Sequence, residues 1–210
     1  MHRYRTKAVL FMRETRGMPG TSAPAVPELT VADAAAWRAW LEKHESASNG
    51  VWLVLAKKGT QSPTSLTYSQ ALEEALCSGW IDGRRNSVDQ TTYRQHFTPR
   101  RARSLWSKRN IELTAGLIAA GRMRERGHAE ISRAQADGRW ENAYPGAAAL
   151  DVPADLQAAL DAHPAAAAAF TALSRTARYP VLLQIVTATN DDVRAARILR
   201  QVARLAGGHG

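Results

Sequence analysis

Trp80-Ile81-Asp82-Gly83-Arg84-Arg85, followed after Asn86 to Gln90 by Thr91-Thr92-Tyr93-Arg94-Gln95-His96-Phe97-Thr98, decides the fold. Both runs carry aromatic or β-branched residues, and the residues between them are mostly polar turn formers, so they read as an antiparallel hairpin. Alternate residues of a strand share a face. Trp80, Asp82 and Arg84 are therefore expected to point one way and Ile81 the other, with Arg94 opposite them across the hairpin.

Upstream, Val51-Trp52-Leu53-Val54-Leu55-Ala56 is short, apolar and closed by Lys57-Lys58-Gly59, which gives a third strand. Before it, Thr30 and Asp33 can cap a helix that carries Ala36, Trp37, Trp40 and Leu41 at the spacing of one buried face, and Asn49-Gly50 stops it. A second helix places Ala71, Leu72, Ala75 and Leu76 on one side and ends at Gly79. Helical periodicity restarts from Ser104, with Trp106, Leu113 and Leu117 on one stripe, up to Gly121. Another helix is expected over 125 to 136.

Residues 141 to 152 are rich in Ala, Pro and Gly and read as a linker. Helices follow over 153–162, 164–173, 179–187 and 191–205. The expected class is α+β: a small antiparallel sheet flanked by helices, then a helical carboxyl-terminal segment. Its division is a disordered tail over residues 1 to 28, a basic α+β domain over 29 to 144, and a helical segment over 145 to 210. That segment is expected to pack on the domain, because Leu182, Leu183, Ile185, Val186, Ile198, Val202 and Leu205 are too many apolar residues for one helical pair to hide.

Composition narrows the function classes. The 210 residues carry a net charge of +9, and between Arg84 and Arg126 eleven basic residues face three acids, a local excess of eight. A field of that sign draws anions. No run approaches the roughly 18 apolar residues of a membrane span, and the apolar stretch Ala8 to Met12 is shorter than the roughly 7 to 15 residues of a signal peptide. Residues 1 to 17 read as an incidental tail if translation starts at Met18. The single cysteine, Cys77, fits a reducing compartment and lies in an apolar helical pattern, so a cytoplasmic location and buried packing are expected.

The six histidines show no metal-ligand spacing, Cys77 lacks a CxxC partner, and no glycine-rich phosphate loop is present, so neither a metal nor another cofactor is expected. The constellation with chemical content is Trp80, Asp82, Arg84, Arg94, Phe97, Thr98, Arg100, Arg101, Ser104, Trp106, Ser107 and Asn110. It joins paired strands to a helix start, where free amides favour anions. Arginine forks and hydroxyls there can hold a phosphate or carboxylate while an aromatic ring stacks on the ligand. Against that stands the plain structural alternative: Trp80 and Trp106 as core, Asp82 paired with an arginine, the other arginines as a solvated face.

Several short pieces together resemble one family. They are Gly50-Val51-Trp52-Leu53 with Lys57-Lys58, Tyr68 with Glu73-Glu74-Ala75-Leu76-Cys77, Gly79 to Gly83, Phe97 to Arg101, Ser104 to Ser107 with Asn110, Gly121-Arg122-Met123 and Ala136 to Trp140. At the carboxyl end they are Phe170, Leu173-Ser174, Arg194 to Ile198 and Leu205. The chain resembles the YdeI/OmpD-associated (bacteriocin-protection) family over roughly Trp37 to Gly207, most densely in the middle third. The resemblance implies a protective or stress-associated accessory role in a bacterium and no particular reaction.

Three functional classes follow. The first is a non-enzymatic protective module that captures an anionic small molecule or acidic peptide in a basic aromatic cleft. The second is a nucleic-acid binder using Arg100, Arg101, Arg103, Lys108 and Arg109 on phosphates. The third is an enzyme that pairs Asp82 with Ser104 or Ser107.

Overall fold

The computed structural model describes residues 26–146 and 149–207. They form two compact units. The first comprises residues up to Ser104 together with Glu112–Gly138, and the second Leu105–Ile111 together with the residues from Arg139 on.

In the first unit, α1 (Ala34–His44) starts where the Asp33 carboxylate accepts from the Ala36 amide at 2.9 Å. Thr30 lies outside the helix and does not cap it. Helix α2 (Tyr68–Cys77) starts in a capping box: the Thr67 hydroxyl takes the Gln70 amide, and the Gln70 side chain takes the Thr67 amide at 3.0 Å. Strands β2 (Val51–Ala56), β3 (Trp80–Ser87) and β4 (Thr92–Pro99) are the three expected ones.

A fourth strand, β1 (Glu28–Leu29), was not read from the sequence. It pairs in parallel with Trp52 and Leu53, so the sheet is mixed rather than antiparallel, in the order β1-β2-β4-β3. Two residues are too few for a period-2 pattern to register. The tail expected over residues 1 to 28 falls outside the described residues as far as 25, and its boundary runs through β1.

On β4, Tyr93, Gln95 and Phe97 are buried, whereas Arg94, His96 and Thr98 are half-buried. The period-2 alternation fits a sheet with one covered face. That face packs against α1 and α2. The ring of Trp37, fully buried, stacks on Trp40 with centroids 5.3 Å apart and meets Trp80 at 6.3 Å and Phe97 at 5.8 Å. Its Nε1 donates to the Ala71 carbonyl at 3.1 Å and so ties α1 to α2. Cys77 is buried in α2, and burial pushes its thiol pKa up, as a packed rather than reactive cysteine requires.

Helix α3 spans Lys108–Ala119 and α4 spans Glu125–Ala136. Where α4 crosses the end of α2, Gly127 leaves no room for a side chain: a Cβ there would lie 2.4 Å from the Cys77 carbonyl oxygen. Two arginines before α4 hold the same junction. Glu74, on α2, accepts from Arg122 Nη2 at 2.7 Å and from Arg124 Nη1 at 3.0 Å, and Arg124 Nε donates to the Ser78 hydroxyl at 2.8 Å. Arg122 also holds Glu73 at 2.7 Å. These two members of the basic run are thus already neutralised by acids.

The turn between β3 and β4 is organised by Asp89. Its carboxylate accepts from the Thr91 amide at 2.7 Å, the Thr91 hydroxyl at 2.8 Å, the Thr92 amide at 2.7 Å and the Thr92 hydroxyl at 3.0 Å. These bonds, led by that of the Thr91 hydroxyl, lower its pKa to about 2. The folded value lies below that of the unfolded chain, so the stabilisation is complete above the ordinary carboxyl range near pH 4 and is lost as pH falls from there toward 2. An NMR titration should therefore show the Thr91 and Thr92 amide shifts flat down to pH 4 and moving below it. A midpoint at the ordinary carboxyl value would show that the turn bonds do not hold in solution.

The second unit contains α5 (Ala154–Asp161), α6 (Pro164–Ala172), α7 (Arg175–Val186) and α8 (Asp191–Ala206). Ser174 caps α7 through the Ala177 amide at 3.2 Å, and Asn190 caps α8 through the Val193 amide at 2.8 Å. Leu156, Leu160, Phe170, Val181, Leu182, Ile185, Ile198 and Val202 form one core, so four helices share the apolar surface that a pair could not hide. Arg194 and Arg197 are engaged within this unit: Arg194 forks onto Asp155, with Nη2 to Oδ1 at 2.9 Å, and Arg197 donates to the Gln184 carbonyl.

Residues 105–111 join this unit rather than the α+β one. The Tyr144 amide donates to the Trp106 carbonyl at 3.0 Å, the Lys108 amide to the Tyr144 carbonyl at 2.9 Å, and the Trp106 ring lies 4.9 Å from that of Trp140. No described helix is long and apolar enough to cross a membrane.

Candidate functional site

The β3–β4 hairpin is interrupted once, and the interruption distributes its charged side chains. Asp82 pairs with Phe97 and Arg85 with Gln95, so Gly83 and Arg84 face the single residue His96 across the ladder. This bulge breaks the expected alternation of Trp80, Asp82 and Arg84. Trp80 and Asp82 stay on the helix-covered side, Arg84 turns to the opposite side, and Arg85 returns to the side of Asp82.

On the side away from α1 and α2, Trp52 and His96 are register partners with ring centroids 5.0 Å apart. The guanidinium of Arg94 lies 5.1 Å and that of Arg84 5.8 Å from the Trp52 centroid, within reach of cation–π attraction. Arg94 also forms an ion pair with Glu28 of β1 at 2.8 Å. Glycines make space for the imidazole on both neighbouring strands: a Cβ on Gly50 would come within 3.3 Å of His96 Nε2, and one on Gly83 within 3.5 Å of Nδ1. Burial first, then Arg84 and Arg101, push the His96 pKa down, which keeps the imidazole neutral at pH 7. His96 Nε2 and Arg94 Nε are both buried without a hydrogen-bond partner among the described residues. Neither Arg84 nor Arg101 has a carboxylate partner among those residues.

On the covered side, beside the first residue of α2, a cavity of about 380 Å³ is lined by Tyr68, Asp82, Gly83, Arg85, Tyr93 and Gln95. Tyr68 donates its hydroxyl to Asp82 Oδ2 at 2.9 Å, Gln95 Nε2 donates to the Gly83 carbonyl at 2.7 Å, and Arg85 lies 3.9 Å above the Tyr93 ring. Burial pushes the Tyr93 hydroxyl pKa up, and Arg85 opposes it.

The other expected site residues are placed as follows. Trp80 and Phe97 are fully buried in the aromatic core around Trp37, too deep to touch a ligand. Arg100 is only 4% exposed, so it belongs neither to an open anion site nor to a solvated arginine face. Its amide donates to the Gly79 carbonyl at 3.0 Å, which draws that stretch against the end of α2. Thr98 is half-buried beside Gly50. The Ser104 hydroxyl accepts from the Arg101 amide at 2.9 Å, and that of Ser107 from the Asn110 amide at 3.1 Å. Both hydroxyls thus serve local turns, while Asp82 binds Tyr68.

Trp106, Ser107 and Asn110 belong to the second unit, with Trp106 and Asn110 buried. Within the first unit the structure therefore gathers Arg84, Arg94, Thr98 and Arg101 around two residues that the sequence did not single out, Trp52 and His96. A signal for Trp52 existed: a tryptophan in an apolar strand directly opposite an arginine-rich hairpin.

The architecture is thus an α+β unit with a two-sided hairpin, and a second unit of four short helices. Residues 149–208, which span those helices, match the family described as Bacteriocin-protection, YdeI or OmpD-Associated, so the resemblance holds in the carboxyl-terminal segment. Residues 29–130, where most of the resembling pieces were read, match a domain of unknown function, DUF8412. No curated protein and no solved structure matches the chain.

Proposed function

We propose that the chain is a non-enzymatic bacterial protective protein whose α+β unit captures an anionic small molecule or acidic peptide at Trp52, Arg84, Arg94, His96 and Arg101. One observation carries this reading: the guanidinium of Arg84 lies over the Trp52 ring that flanks His96, Arg101 is near enough to lower the His96 pKa, and neither arginine has a carboxylate partner among the described residues. A carboxylate already sits at the rim, since Glu28 occupies Arg94. The family description matched by residues 149–208 supports the protective role.

Titration of the full chain with inorganic phosphate, a pentaglutamate peptide and a short oligothymidine, followed by tryptophan fluorescence, tests the reading. Pentaglutamate or phosphate should quench or shift the emission. The Arg84→Ala/Arg101→Ala double variant should lose about one to two decades of affinity, the loss of a charge-assisted bond, with an unchanged melting temperature. Response to oligothymidine alone would favour a nucleic-acid platform instead, and undiminished anion affinity in the double variant would place the site elsewhere.

A further inference from the structure

From the other side of the hairpin we infer that the cavity of Tyr68, Asp82, Arg85, Tyr93 and Gln95 binds a small zwitterion, a molecule with an ammonium and a carboxylate a few bonds apart. The inference does not rest on the anion site. An acid and an arginine line one cavity of about 380 Å³, yet they form no ion pair with each other or with any other described residue. Opposite charges on a shared wall that do not meet leave room for a group that bridges them.

Each charge is held ready for such a bridge. Asp82 is fixed by the Tyr68 hydroxyl on Oδ2, and its Oδ1 accepts no hydrogen bond from the described residues, which leaves it for an ammonium. Arg85 is held 3.9 Å over the Tyr93 ring, which orients the planar fork without neutralising it. Gln95 is anchored on the Gly83 carbonyl and so fixes the bulge that brings Asp82 and Arg85 to the same side. The volume suits an amino acid or a short ω-amino acid and is small for a folded peptide segment. An anion without an ammonium would meet the repulsion of Asp82, and a cation without a carboxylate that of Arg85, so selectivity for both charges together follows from the lining.

The test is titration of the ¹⁵N-labelled full chain with glycine, β-alanine, γ-aminobutyrate and 6-aminohexanoate, with acetate and methylammonium as single-charge controls. At least one zwitterion should move the Tyr93 and Gln95 resonances saturably. The controls should bind at least about tenfold more weakly, as should Asp82→Asn and Arg85→Gln toward that zwitterion. Arg85 is exposed, so its variant keeps the fold and serves if Asp82→Asn does not. Arg84→Ala/Arg101→Ala, on the opposite side of the sheet, should leave zwitterion affinity unchanged, which separates this site from the anion site. The inference is overturned if no member of the series shifts those resonances, if acetate or methylammonium binds as well, or if Arg85→Gln retains full affinity.

Discussion

Trp80→Ala is expected to lower the unfolding free energy by about 3 to 5 kcal/mol, enough to consume much of a small unit's stability. The ring has no exposed surface and meets Trp37 at 6.3 Å and Trp40 at 5.9 Å, both edge-on, so its removal opens a void against two other indoles. Those neighbours are large and rigid and cannot collapse into the space, which puts the cost in the upper part of that range. Trp80→Phe is the informative companion. Trp80 Nε1 makes no hydrogen bond among the described residues, so phenylalanine sacrifices ring area but no bond. The same exchange at Trp37 forfeits the bond to the Ala71 carbonyl as well. Urea unfolding of the two phenylalanine variants should thus rank Trp37→Phe as the more damaging. A loss below about 1 kcal/mol for Trp80→Ala would mean that the aromatic cluster is not a packed core.

Glu74→Ala should cost about 3 kcal/mol, the scale for stripping one partner from a buried ion pair. The Glu74 side chain is only 9% exposed and that of Arg124 only 14%, so solvent cannot replace the lost carboxylate at Arg124, and Glu45, at 3.9 Å, is too far to take over its hydrogen bond. Arg122 is better placed, being 38% exposed and still bound to Glu73, which keeps the figure at the lower end of the range. The sign of the salt response separates this pair from surface ion pairs: added salt should leave the difference between wild type and variant nearly unchanged. If the gap closes in high salt, or never exceeds about 1 kcal/mol, Glu74 acts as an ordinary surface acid.

The sequence disclosed the elements better than the arrangement of their side chains. Helices α1 and α2 and the three longer strands follow from apolar spacing, and Gly79 with its positive φ ends α2 as expected, whereas α1 ends at His44, well short of the stop expected at Asn49-Gly50. Strand β1 escaped because its two residues pair through Trp52 and Leu53, a non-local match with no local pattern. Strict alternation misassigned Arg84, since a bulge at Gly83 adds one residue and turns the next side chain over. The burial of Arg100 was not legible because it depends on a non-local amide bond to the Gly79 carbonyl that draws that stretch inward. The run of basic residues was legible as charge, but its division between arginines paired with acids, such as Arg122 and Arg124, and those with no carboxylate partner among the described residues, such as Arg84, depends on which acids the fold brings near.

The position of β3 at the end of the sheet has a consequence for how copies of the chain behave in concentrated solution. A terminal strand offers unpaired backbone groups to any other extended chain, and such strands seed edge-to-edge association. Here the exposed strand bends at its bulge and carries Arg84 and Arg85 on opposite sides, so a second copy approaching in register would bring like charges together on both faces at once. These two arginines thus act jointly as a guard against self-assembly, one that weakens as salt screens the repulsion.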